Sequence, residues 1–258
     1  ELYRNRQQVA ERLTLARSQL PANVAPQMGP ISSIMGQVAL IAVSSNESSP
    51  NANPMALRDV ADWVLRPRLL TIPGVAQVIP IGGEVRQYRV APDFNALRAL
   101  GVSYEQIEKA LAQFGANTGG GFTDQYAREY LIRNLAQTTR LEDLANLVVA
   151  QTDGRPVYLH QVSRVDFGAR VKRGEAGFMG RSAVVVSVEK QPGIDTIKLT
   201  ANIEAALREL APGLPAGIKA DQLLFRQATF IENSIGNVKQ VLMEAIIVVA
   251  IVMFAFFL

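Results

Sequence analysis

Between residues 2 and 20, apolar side chains recur every three or four positions. Leu2, Val9, Leu13, Ala16 and Leu20 share one face, with Arg, Gln and Glu between them. That is the spacing of an amphipathic helix. Pro21 ends it, and PANVAPQMGP continues as an extended, proline-punctuated linker. The period then changes. QVALIAV (37–43) is a short, continuous apolar run and predicts a buried strand; the polar loop SSNESSPNANP follows. The next segment predicts a helix, with Leu57, Val60, Ala61, Val64, Leu65 and Leu69 on one face and Arg58, Asp59, Asp62 and Arg66 on the other. Pro67 predicts a kink or an early end, because proline cannot donate to the helix ladder. Pro73-Gly74 then turns the chain into a second strand, 75–81.

The same layout returns between 182 and 224. A strand at 183–189 (AVVVSVE) leads through a QPG turn into a helix over 195–210. Ile197, Leu199, Ile203, Ala206, Leu207 and Leu210 face inward on that helix. After PGLPAG comes another strand, IKADQLL (218–224). A lone βαβ unit leaves one apolar surface uncovered, whereas two paired units form one continuous core. The expected fold class is therefore α+β, a split ferredoxin-like βαβ–βαβ sandwich. Residues 84–172 then form an inserted α+β domain.

The insert carries its own signals. VRQYRVA (85–91) alternates like a strand, and DFNALRAL and SYEQIEKALAQF read as short helices, the second with Ser103 as its N-cap. ANTGGGFTDQYAREYLIRN (116–134) predicts a hairpin with Gly119, Gly120 and Gly121 at its tip. LEDLANL is a short helix. LVVAQ and RPVYLHQVSRVDF predict a further hairpin around Asp153-Gly154.

At the end of the chain the polar residues stop. From 245 to 258 there is no polar side chain, no Gly and no Pro. At ~1.5 Å per residue, the run from 241 spans roughly 27 Å, close to the ~30 Å hydrocarbon thickness of a bilayer. It predicts a transmembrane helix. Phe230, Ile231, Ile235 and Val238 share a face just before it, so the helix is expected to start earlier and join the soluble part without a break. The absence of an initial Met and the end inside an apolar run suggest an excerpt of a longer protein.

Composition narrows the chemistry. Net charge is +3, and Lys and Arg are spread out, which argues against a nucleic-acid footprint. With no Cys, there is neither a disulfide nor a thiolate metal site. The single histidine, His160, alternates with apolar neighbours and reads as structural; no Ser/His/Asp arrangement accompanies it, so no catalytic residue and no cofactor are assigned. The Gly119–Gly121 run lacks the GK[ST] of a phosphate loop. Met28, Met35, Met55 and Met179 offer soft ligands if they converge, but isolated methionines more often fill space, and no metal site is assigned. Arg170, Lys172 and Arg173 form a small basic cluster where the chain returns from the insert, for which a solvated face is the simpler reading.

Taken in order, QQVAERL with LPANVAPQMGPISS, ANTGGGF with EYLIRN, RPVYLHQV, and IENSIGNVKQVLMEAIIVV resemble the heavy-metal-efflux branch of the resistance-nodulation-division permeases. The resemblance covers essentially the whole chain. It implies that 1–31 is the end of a first porter subdomain, 32–83 and 173–232 the two halves of a second porter subdomain, 84–172 a docking subdomain, and 233–258 a membrane helix. It further implies a proton-driven homotrimer in a Gram-negative inner membrane, with residues up to 232 in the periplasm. Such a pump works by alternating access with a periplasmic adaptor (membrane fusion) protein and an outer-membrane channel. The hairpin containing Gly119, Gly120, Gly121 and Phe122 is expected at the trimer contact. Gln37 and Ile81 are expected to line the upper substrate pocket, and Arg170, Val171, Lys172 and Arg173 to border the substrate path. Copper and silver members of the branch look to carry Met where this chain has Val171, a departure that weakens the expectation of a Cu(I) or Ag(I) pump and leaves open divalent ions such as Zn, Co, Cd or Ni, or a non-metal substrate. The proton relay and main cation site of such pumps belong to segments outside 1–258. Two alternatives stand beside this reading: a multidrug or lipid exporter of the same superfamily, and an extracytoplasmic interaction domain of another membrane protein.

Overall fold

The computed structural model describes all residues except 22, 23, 33, 47, 48, 50–52, 116, 117, 126, 127, 135–137, 139, 153, 173 and 258; at 34, 118–125 and 128–134 it describes the backbone alone. These residues divide into two compact units, Glu1–Gly83 with Arg173–Leu258, and Glu84–Lys172.

The first unit opens with helix α1 (Leu2–Ala16), which buries none of its residues. Strand β1 (Gln37–Ser45) follows. Helix α2 (Pro54–Val60) starts at Asn53, whose side-chain oxygen accepts a 2.7 Å hydrogen bond from the Ala56 N–H, with Pro54 in the first turn. The helix does not end early at Pro67. A π turn, Ala61–Leu65, intervenes, and helix α3 (Arg66–Leu70) carries Pro67 in its first turn. In the wider turn the Arg66 N–H bonds to the Ala61 carbonyl. Pro67 has no N–H to give and its ring crowds the carbonyl one turn back, so a widened turn just before it accommodates the proline. Strand β2 (Val75–Gly82) ends this half.

In the second unit, β3 (Arg86–Pro92) leads into α4 (Phe94–Leu100) and α5 (Tyr104–Gln113). Ser103 and Gln106 cap α5 reciprocally, at 3.2 and 2.8 Å. Next come the β4 (Thr118–Gln125) and β5 (Arg128–Asn134) pair, α6 (Leu141–Ala145), β6 (Val148–Thr152) and β7 (Arg155–Tyr158). The expected second strand of that last hairpin is cut short. After Tyr158 the chain turns through α7 (Leu159–Val162) and leaves as β8 (Ser163–Ala169), which pairs with β3 instead of β6. Leu159 and Val162, both fully buried, draw this turn into a core shared with Leu97, Ile107 and Leu144. Asp153, expected in the β6–β7 turn, lies outside the described residues.

Back in the first unit, the small pair β9 (Gly177–Phe178) and β10 (Arg181–Ser182) precedes β11 (Val184–Lys190), α8 (Thr196–Leu210) and β12 (Ile218–Arg226). Helix α9 (Gln227–Phe257) follows directly. The four long strands form one sheet in the order β12-β1-β11-β2, every neighbour antiparallel. β1 and β2 therefore run parallel with β11 between them, and β11 and β12 run parallel with β1 between them. The two βαβ units interleave. Ile41 and Val43 of β1 and Val184, Val186 and Val188 of β11 face Leu57, Leu65, Leu69, Leu199 and Ile203 of the helices. Each such side chain contributes about 1.5–3 kcal/mol on burial.

Candidate functional site

Strand alternation divides the sheet's residues between two faces. The core takes one face. The other carries Leu40 and Ala42 of β1, Val185 and Ser187 of β11, and Ile79 and Ile81 of β2, none of which belongs to the core cluster. Ile81 sits opposite Val185, which sits opposite Ala42. Gln37 joins this face from the start of β1, where its Nε2 donates to the Ser187 hydroxyl at 3.1 Å. The structure thus brings Gln37 and Ile81 to one face of one sheet, at different ends of the β11 segment between them. Ser187, which the sequence reading passed over within an apolar strand, is the residue that fixes Gln37. Ile81 is 42% exposed. Leu40, Ile79 and Val185 are half-buried and Ala42 and Ser187 are buried, so Ile81 is the most open of these positions; Glu189 stands opposite Gln37. Among the described residues, no group of three or more His, Cys, Asp or Glu is placed to hold a metal ion.

The return from the insert is arranged differently. The Arg170 N–H donates to the Val85 carbonyl at 2.9 Å, and Lys172 Nζ lies 3.3 Å from Glu84 Oε1. The cluster is therefore partly committed to structure: Lys172 neutralises the carboxylate of Glu84, at the other end of the same unit. Val171 between them is 87% exposed. Arg173 lies outside the described residues.

The glycine run is not a hairpin tip. Gly119, Gly120, Gly121 and Phe122 lie within β4, where Gly119 pairs with Arg133 and Phe122 with Leu131, and the register shifts between them. Glycine is well suited to such an irregularity, because it has no Cβ to hold one side of the pleat. The pairing of the two strands extends as far as Gln125 and Arg128.

His160 donates through Nδ1 to the Ala145 carbonyl at 3.0 Å and stacks on Tyr158. A groove of about 600 Å3 runs beside β2, an edge strand of the sheet, lined by Arg58, Asp62, Arg66, Leu70 and residues 76–80. Arg58 pairs with Asp62 at 2.7 Å and donates to the Gly82 carbonyl at 2.8 Å; Arg66 donates to the Val78 carbonyl at 3.1 Å. Pro80, of the same strand parity, has no N–H. Two guanidinium groups and a proline thus blunt this edge against strand addition. The polar helix face predicted from Arg58, Asp62 and Arg66 is engaged with the sheet rim, a role their spacing alone does not reveal.

Helix α9 is long and apolar enough to cross a membrane, with a mean hydropathy of 2.5 over its most apolar stretch.

Comparison with known proteins gives a consistent result. Residues 1–258 match the AcrB/AcrD/AcrF family. The chain is 29% identical to "Cobalt-zinc-cadmium resistance protein CzcA" of Cupriavidus metallidurans, over 99% of this chain and 24% of that protein. Identity is 32% to "Nickel and cobalt resistance protein CnrA" of the same organism (97% and 26%) and 31% to "Cation efflux system protein CusA" of Escherichia coli (97% and 24%). The fold matches a crystal structure of a heavy metal efflux pump with a TM-score of 0.80 at 24% identity, over 94% of this chain and 24% of that one. The chain therefore spans about a quarter of the length of the relatives it matches, and it belongs to the AcrB/AcrD/AcrF family of resistance-nodulation-division permeases, a family of transporters.

Proposed function

We propose that this chain is the periplasmic portion and following membrane helix of a proton-driven inner-membrane efflux permease that exports divalent heavy-metal cations. One observation carries the reading: a four-stranded sheet with one face outside the core runs without a linker into an apolar helix long enough to span a bilayer. Residues 32–83 and 173–232 form a split ferredoxin-like porter subdomain, 84–172 a docking subdomain inserted into it, and 1–31 the end of a preceding porter subdomain. Alternating access moves the porter sheet, and the face carrying Gln37 and Ile81 walls the cation's route. The complete pump is a homotrimer working with a periplasmic adaptor and an outer-membrane channel. The β4–β5 hairpin, with Gly119–Phe122, reaches a neighbouring protomer.

The relatives named for cobalt, zinc, cadmium and nickel support the cation class. Val171 supports divalent ions over Cu(I) or Ag(I), which prefer thioether ligands. The test is a susceptibility panel. A host lacking its own pumps expresses the full-length gene with its adaptor and is challenged with Cu, Ag, Zn, Co, Cd, Ni and dyes. Protection against a divalent metal is expected; protection against dyes alone would move the protein to multidrug export. For assembly, deleting Gly119–Phe122 is expected to lower the trimer mass in detergent while the protomer stays folded, and an unchanged mass would reject that contact.

A further inference from the structure

The step from sheet to apolar helix has no slack. β12 ends at Arg226 and α9 begins at Gln227. Three consecutive residues root the helix. Ala228 is 0% exposed and is the buried residue of α9. Gln227 Nε2 donates to the Met35 carbonyl at 3.4 Å. Arg226 makes the strongest set of contacts. Its Nε donates to Glu204 Oε1 on α8 at 2.7 Å; its Nη1 and Nη2 donate to Glu232 Oε2 and Oε1 on α9 at 2.6 and 3.1 Å. Nη1 also reaches Thr229 Oγ1 at 3.3 Å. From Glu232 onward, every described residue of α9 is exposed.

A guanidinium is planar, and its N–H groups leave in fixed directions. A carboxylate held by two of them is fixed in orientation as well as in distance. Here one plane engages carboxylates from two helices while its own backbone belongs to the strand between them. A small angular error at this root is magnified along α9. About 44 Å of helix lies beyond Ala228 at ~1.5 Å per residue, so a tilt of about 10° displaces the far end by about 8 Å.

We propose that Arg226 is a positioning residue that locks α9 to α8 and β12, so that rotation of the porter sheet reaches the membrane helix as a rigid turn. Its consequence for transport rests on the efflux reading above; the lock itself does not.

The experiment uses the full-length protein, with any other cysteine removed, and spin labels at Asn202→Cys on α8 and Val238→Cys on α9. The native distance distribution is expected to be narrow. Arg226→Ala should at least double its width, Arg226→Lys should give an intermediate width, and Glu232→Gln, which preserves side-chain size, should also broaden it. Unchanged widths in all three variants overturn the lock, and Glu232→Gln keeps the test decisive if Arg226→Ala folds poorly. In vesicles, Arg226→Ala should lower the maximal transport rate about tenfold while leaving the half-saturating cation concentration and trimer mass unchanged. A broadened distribution with an unaltered rate overturns the coupling. A native protein that moves no cation counts against the efflux reading and leaves the spin-label result to decide the lock.

Discussion

The ammonium group of Lys172 lies 3.3 Å from the carboxylate of Glu84, and these two residues are the last and first of the second compact unit. The ion pair ties together the two segments by which the chain enters and leaves that unit, just outside the paired strands β3 and β8. Both side chains are partly solvated, so the pair adds little stability. Lys172→Met and Glu84→Gln are each expected to change unfolding free energy by about 1 kcal/mol or less. If Lys172 also borders the substrate path, Lys172→Met alters metal resistance at unchanged stability, whereas Glu84→Gln leaves resistance intact. Equal effects of both variants on resistance would assign Lys172 a structural role only.

Within the second unit, Arg89 holds the Asp166 carboxyl below its ordinary range. The main cause is their hydrogen bonding, at 2.9 and 3.0 Å; burial opposes it, and the charges of Arg89 and Arg164 add to it. The sign follows from linkage. A carboxylate with a lowered folded pKa contributes stability that is present above its unfolded value, ~3.9, and is lost as pH falls through the folded value. Arg89→Ala should raise the Asp166 pKa toward the ordinary range, with Arg164 still opposing the rise. A carboxyl-carbon NMR titration of the 84–172 unit checks this, and an unmoved midpoint would show that Arg89 is not the cause.

Gly82 closes β2 with φ +83°, and a Cβ there would meet the Ala176 backbone nitrogen and Cβ at 2.7 Å. Gly193 has nearly the same φ, +80°, with nothing within 4 Å. Gly193→Ala therefore suffers backbone strain alone, of order 1–3 kcal/mol, and Gly82→Ala suffers the same strain plus a collision. Denaturant midpoints of the two variants should rank Gly82→Ala as clearly worse. Equal midpoints would mean that the segment around Ala176 yields at no cost.

The two cores contain different residues. Ile203→Ala should destabilise the sheet-containing unit by about 2–5 kcal/mol, and Leu159→Ala the 84–172 unit by a similar amount. Hydrogen exchange resolved by segment is expected to show each loss confined to its own unit. Loss of protection in both units from either variant would mean that they unfold together.

Local chemistry alone made much of this protein legible. The periods of 37–43, 57–69, 183–189 and 197–210 specify strands and helices because burial of one face is a property of neighbouring residues. Ser103 announces its helix by the hydrogen bond it can make three residues on, and the run after Glu244 announces a span by its length without polar groups. Proline and glycine were less decisive. Pro67 is carried by a π turn rather than ending its helix, and the Gly119–Gly121 run lies in a strand, where it takes up an extra residue relative to the partner strand. Only the tertiary structure decided which strands are neighbours. Periodicity says that a strand has a buried face, but backbone pairing between Gln37 and Glu189, or between Ala39 and Arg226, joins residues far apart in the chain and leaves no local trace. The same holds for Gln37 meeting Ser187, and for Arg226 gathering Glu204 and Glu232. An isolated arginine between Phe225 and Gln227 carries no pattern, and its partners are set by how α8 and α9 flank the end of β12.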